Sequence, residues 1–111
     1  MVQDVFTING NIKESEPIVI FGTGVNGKRA YFTFLNMGVK VYAFADRDNG
    51  VVGKKIFGKL IISEKDLIGK NYTVVIASQY WEDIKKRLES EGIKNIYVMN
   101  MYGEHDKGII I

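Results

Sequence analysis

Apolar residues along the chain fall into short continuous runs separated by stretches of helical spacing. Ile18 to Phe21 is an unbroken apolar run directly after Pro17, the only proline. Such a run predicts a strand covered on both faces. Ala30, Tyr31, Phe34 and Leu35 then recur at helical spacing, with Lys28, Arg29, Thr33 and Asn36 mostly elsewhere. That pattern predicts an amphipathic helix, and Gly38 its C-terminal stop. Val39 to Ala45 predicts a second strand ending at Asp46. "DRDNGVVGKK" is turn chemistry, with Asn49-Gly50 and Gly53 suited to positive φ. Ile56-Phe57 and Leu60 to Ile62 flank Gly58-Lys59 and predict a small hairpin. Ser63, with Asp66 three residues on, predicts a capped short helix over Glu64 to Ile68. Tyr72 to Ala77 reads as the third strong strand. Ser78 is suited to cap a following helix, whose apolar stripe is Trp81, Ile84 and Leu88, and Gly92 ends it. Ile96 to Met99 reads as the fourth strand.

Strands alternating with helices predict an α/β fold with a mainly parallel sheet. Right-handed crossovers put the second and third strands on opposite sides of the first, giving the expected order 2-1-3-4 with the hairpin after strand 2. The first strand then lies at a switch point, where ligands bind beyond the carboxyl ends of the strands. Residues 1–16 carry no clear period and read as an N-terminal extension or linker; residues 17–111 read as one domain. The tail ends in "GIII", apolar enough to suggest an added edge strand, a cut from a longer chain, or a contact that makes a homodimer.

Composition narrows the function classes. The 111 residues include 15 Lys and Arg against 13 Asp and Glu, a net charge of +2. No clustered basic excess points to nucleic acid. The absence of cysteine excludes disulfides, thiolate nucleophiles and sulfur-ligated zinc, and fits a reducing cytoplasm. With one histidine, a His-rich metal site is excluded, so no metal site is expected. "MVQDVFTINGNIKESEP" lacks the order of a signal peptide, and no apolar run reaches the roughly 20 residues of a membrane span.

Candidate chemistry concentrates in "FGTGVNG", which fits G-x-G-x-x-G with Gly22, Gly24 and Gly27. Gly22 allows a sharp turn, Gly24 leaves room for a phosphate, and Gly27 lets the helix pack close to the strand. The turn also includes Thr23, Val25 and Asn26, at a helix start whose N–H groups and dipole favour an anion. Asp46 lies 22 residues after Gly24, close to the spacing at which a carboxylate receives ribose hydroxyls; Arg47 follows it. The alternative reading of Asp46-Arg47-Asp48 is a polar turn. Ser78 and Gln79, with Tyr80, lie across the expected crevice and are candidate ligand contacts, while Ser78 as a helix cap competes with that role. No catalytic set is expected. No tyrosine is followed by a lysine four residues later, and neither G-x-S-x-G nor G-K-[ST] occurs. His105, flanked by Glu104 and Asp106, reads as part of a solvated cluster.

These residues carry a resemblance. FGTGVNG, FADRD, the Gly53 to Ser63 segment "GKKIFGKLIIS" and "VVIAS" resemble a Rossmann-like module of bacterial polysaccharide biosynthesis. The stretch is similar to the N-terminal domain of bacterial sugar N-acetyltransferases and to the domain before the catalytic part of nucleotide-sugar epimerase/dehydratases. The resemblance covers roughly residues 17 to 100. It implies a three-layer fold and a nucleotide sugar, UDP-linked, held at the first turn with Asp46 close by; a dinucleotide, NAD(P), is the other ligand considered. It also implies a catalytic part supplied by a fused or separate domain. A ligand-free interaction or oligomerisation domain is the alternative function.

Overall fold

The computed structural model describes residues 16–99. The elements are β1 (Ile18–Phe21), α1 (Val25–Asn36), β2 (Ala43–Asp46), β3 (Lys55–Ile56), β4 (Lys59–Ser63), a 3-10 helix (Glu64–Leu67), β5 (Thr73–Ile76), α2 (Trp81–Ser90) and β6 (Ile96–Val98). They form an α/β fold around one mostly parallel sheet of six strands, in the order β3-β4-β2-β1-β5-β6.

This order differs from the four-strand order 2-1-3-4 expected from the sequence. The expected neighbours stand inside it as β2-β1-β5-β6, but the hairpin is part of the sheet. After Asp46 the chain reverses through Asp48–Lys54, and β3 runs antiparallel to β4. β4 therefore emerges parallel to β2 and pairs with its edge, Phe44 opposite Ile61 and Ala45 opposite Ile62. Ile61 enters the core on one face of the sheet and Ile62 lies against the core on the other, while Leu60 stays exposed.

β1 and β5 are buried along their whole length because both faces of the sheet are covered. On one face Ile18, Ile20, Phe44 and Val75 pack with Ala30 and Phe34 of α1. On the other, Val19, Phe21, Ala45 and Ile76 pack with Leu67 of the 3-10 helix and Leu88 of α2. Alternation along each strand feeds both cores. Trp81 and Ile84 lie against the second core, as their stripe predicts.

Several boundaries differ from the sequence expectation. Pairing of β2 begins at Ala43, opposite Val19, so Val39 to Tyr42 form the approach from α1 and not the strand. Gly38 ends α1 with φ +75 as expected, but Gly50 does not take positive φ; its N–H donates to Asp48 Oδ1 at 2.8 Å instead. The hairpin turns at Phe57-Gly58, one residue earlier than expected, and both residues are left-handed. The Ser63–Asp66 capping box forms as predicted: Asp66 N–H donates to Ser63 Oγ, and Ser63 N–H to an Asp66 carboxylate oxygen. Ser78 does not cap α2. Its Oγ accepts from Tyr80 N–H at 3.0 Å, and Tyr80 holds the N-cap position. Residues 1–15, His105 and the apolar tail lie outside the described residues.

Candidate functional site

Three turns at the carboxyl ends of β1, β2 and β5 enclose a cleft of about 620 Å³. It lies between β1 and β5, where the connection after β1 crosses to β2 on one side and the connection after β5 crosses to β6 on the other. Crevices at such points collect ligands in parallel sheets.

The glycine turn separates into two kinds of glycine. Gly22 has φ +130, and a Cβ there would lie 2.6 Å from the carbonyl oxygen of Ala77. Conformation and space both demand glycine. A Cβ on Gly27 would overlap the Gly22 carbonyl oxygen, so α1 can sit this close to β1 only without a side chain. Gly27 is buried and does not line the cleft, in keeping with the close helix-strand packing expected of it. Its role is packing. Gly24 has an ordinary extended φ of −87, and nothing lies within 4 Å of a Cβ built on it. The fold places no demand for glycine there.

Gly24 is the N-cap of α1, and no side chain caps the helix or places an acid in its first turn. The positive end of the helix dipole therefore faces the cleft with no acid in the helix's own first turn. Gly22, Thr23, Gly24, Val25 and Asn26 all line this wall.

At the end of β2, Asp46 is half-buried. Its Oδ2 accepts from Thr23 Oγ1 at 2.7 Å and its Oδ1 from Asp48 N–H at 2.9 Å. These bonds fix the carboxylate and tie the first turn to the second. Each oxygen keeps a second lone pair for another donor. Arg47 stands beside it at the cleft edge, and Ser78 and Gln79 line the β5 side. Nine of the ten expected positions thus converge, Gly27 excepted.

The sequence reading did not single out Asp83 and Arg87, and it took Ile84 only as core. They line the cleft with Tyr80 because positions 80, 83, 84 and 87 share one face of α2. Arg87 is held by Glu64, which is 8% exposed. Its Nε and Nη2 donate to the carboxylate at 2.8 to 3.1 Å. The guanidinium keeps the Glu64 carboxyl below its ordinary value of 4.5, and Glu64 in turn raises the Arg87 pKa. Glu91 lies against the same pair. Burial, then the Glu64 carboxylate, push its pKa up, and its Oε1 is buried without a hydrogen-bond partner. The pair ties the 3-10 helix to α2 and fixes this wall of the cleft.

Among the described residues no group of three or more His, Cys, Asp or Glu is placed to hold a metal, and no helix is long and apolar enough to cross a membrane. The cleft combines an open helix start, an oriented carboxylate and polar side chains opposite, groups able to meet an anion and hydroxyl donors. A search of curated proteins finds no match. A family model described as C2185-like, N-terminal, matches residues 14–99. That span contains every strand and helix of the described residues and all three cleft turns, and the chain belongs to the C2185-like N-terminal family.

Proposed function

We propose that the chain is a Rossmann-like module, bacterial and cytoplasmic, that binds a nucleotide sugar, UDP-linked, for carbohydrate or polysaccharide biosynthesis. A dinucleotide is the other ligand of the same site. The module is non-catalytic alone and serves a fused or separate catalytic domain.

Gly24 carries this reading. Gly22 and Gly27 are explained by backbone conformation and packing, and Gly24 by neither. What remains is the approach of a ligand to the backbone at a helix start that presents N–H groups and a positive dipole. A diphosphate fits that chemistry. Asp46, oriented by Thr23 and Asp48, is suited to accept from ribose hydroxyls, and its charge opposes a 2′-phosphate, favouring NAD over NADP among dinucleotides. The resemblance in FADRD and "GKKIFGKLIIS" supports the sugar-nucleotide class.

Calorimetric titration with UDP-glucose and with NAD tests the reading. Binding at micromolar to millimolar affinity is expected, lost in Gly24→Val with the fold retained by circular dichroism. Absence of heat with both ligands, or unchanged binding in Gly24→Val, overturns it.

A second reading has its own observation. Tyr31, Phe32 and Phe57 form an aromatic cluster with centroids 4.9 to 5.8 Å apart, and Phe57 is held left-handed at φ +52. Phe32 and Phe57 remain about half exposed. Such a surface suits an interaction or oligomerisation domain. It predicts a change of oligomeric state in Phe57→Asn by sedimentation and no ligand dependence.

A further inference from the structure

The two most exposed large apolar side chains of the described residues both stand in the cleft. Val25 is 72% exposed and Tyr80 65%. They approach from different layers: Val25 starts α1 on one face of the sheet, and Tyr80 precedes α2 on the other. Neither belongs to a hydrophobic core. Tyr80 also occupies the N-cap of α2 without forming a side-chain cap bond, a position that Ser, Thr, Asp or Asn would fill to the helix's benefit. The fold gains nothing from the ring, just as it gains nothing from the missing side chain at Gly24.

Sheet order places both residues along a ligand. The strand ends follow one another as β2, β1, β5. On the nucleotide reading above, on which this inference rests, ribose lies at Asp46 on β2 and the diphosphate over Gly24 on β1. The group beyond the second phosphate then reaches β5, where Ser78, Gln79 and Tyr80 stand. Past β5 the described sheet has only β6, of three residues. Among the described residues no second pair of strand-end turns follows there like those at β1 and β2 that receive the first nucleoside.

We infer that Tyr80, with Val25 opposite, holds the glycosyl ring of a nucleoside diphosphate sugar and so selects sugar nucleotides over dinucleotides. A pyranose presents a face of C–H groups that carry slight positive charge. An aromatic ring presents a negative face, so the two stack while ring hydroxyls reach the polar groups of Ser78 and Gln79. Burying the exposed phenol against that face, with the Val25 methyls on the ring's other side, adds an apolar contribution.

Titrating the full chain with UDP and with UDP-glucose, as wild type, Tyr80→Ser and Tyr80→Phe, tests this. Wild type should bind UDP-glucose more tightly than UDP. Tyr80→Ser should weaken UDP-glucose about tenfold and leave UDP unchanged, while Tyr80→Phe keeps both. Because serine is the better cap, Tyr80→Ser should melt no lower than wild type, which separates loss of a contact from loss of structure. Equal weakening of UDP and UDP-glucose overturns the inference, since the ring would then serve the base. So does unchanged UDP-glucose binding, or NAD binding that depends on Tyr80 where UDP-glucose does not bind. UDP binding without preference for UDP-glucose removes only this inference; absence of UDP binding in wild type removes the nucleotide reading beneath it.

Discussion

Two turns at the same edge of the sheet handle the same problem in opposite ways. β4 and β1 both lead into helical segments whose first N–H groups need acceptors. After β4 the chain answers from within: Ser63 and Asp66 satisfy each other's backbone N–H groups, and Glu64 is locked to Arg87 of α2. After β1 no side chain caps α1, no acid stands in its first turn, and the N-cap is a glycine that nothing in the surroundings requires. One turn is self-sufficient and the other leaves its positive helix end facing a cleft. One strand-to-helix turn is satisfied internally and the other is left open, and the open one is where the proposed ligand would contribute.

The largest effect should come from the part of the open turn that is structural. Gly27→Ala puts a methyl onto the Gly22 carbonyl, and backbone cannot yield as a flexible side chain does. A loss of about 3 kcal/mol or more is expected by denaturant melts, with or without ligand. A variant as stable as wild type would show that α1 can lift from β1 and would dissolve the distinction between Gly27 and Gly24.

On the closed side, Glu64→Gln removes the charge that pairs with Arg87, and a cost of about 1–3 kcal/mol at neutral pH is expected. The sign of its pH dependence follows from the lowered carboxyl. The folded chain binds fewer protons at Glu64 than the unfolded chain does, so this stabilisation is present above 4.5 and is lost as pH falls through the folded value. Glu91 acts in reverse. Its raised value means that stability is present below 4.5 and is lost as pH rises through the folded value. Thermal melts from neutral into acid pH should show a shallower acid loss in Glu64→Gln than in wild type. An identical slope in both would mean that the ion pair contributes nothing to the closed turn.

The same contrast separates what the sequence disclosed from what it did not. β1 and β5 were legible because burial on both faces leaves an unbroken apolar run. The Ser63–Asp66 box and the glycine turn were legible because caps and tight turns depend on residues within a few positions. The start of β2 was not, because Val39 to Tyr42 have strand-forming side chains and only the register with β1 decides that pairing begins at Ala43. Nor was the place of β4 in the sheet, since an apolar hairpin reads alike whether it stands apart or extends an edge. Within the cleft, Asp46 was visible by spacing, but Glu64 and Arg87 are 23 residues apart and meet only through packing of the 3-10 helix on α2. Tyr80 holds the N-cap position expected of Ser78, because a serine two residues before a helix serves equally well in a turn.

Removing the capping box is a smaller perturbation. Ser63→Ala deletes one acceptor for Asp66 N–H, for an expected loss of about 1 kcal/mol by chemical denaturation, with nucleotide binding unchanged because Ser63 does not line the cleft. Altered binding in this variant would mean that the two turns are coupled through Glu64 and Arg87, and that the closed turn also shapes the site.

The smallest change in stability belongs to the residue with the largest proposed effect on binding. Gly24→Ser adds a hydroxyl where α1 has no side-chain cap and where a Cβ has open space. Serine is a slightly better N-cap than glycine, and its backbone is less free in the unfolded chain, so a gain of about a few tenths of a kcal/mol is expected. The same side chain stands where the diphosphate would approach, and its oxygen would satisfy the N–H groups offered to the phosphate. UDP-glucose affinity should therefore fall as the melting temperature rises slightly. If both rise, the helix start is an ordinary uncapped terminus, and the turn after β1 is open for no reason that involves a ligand.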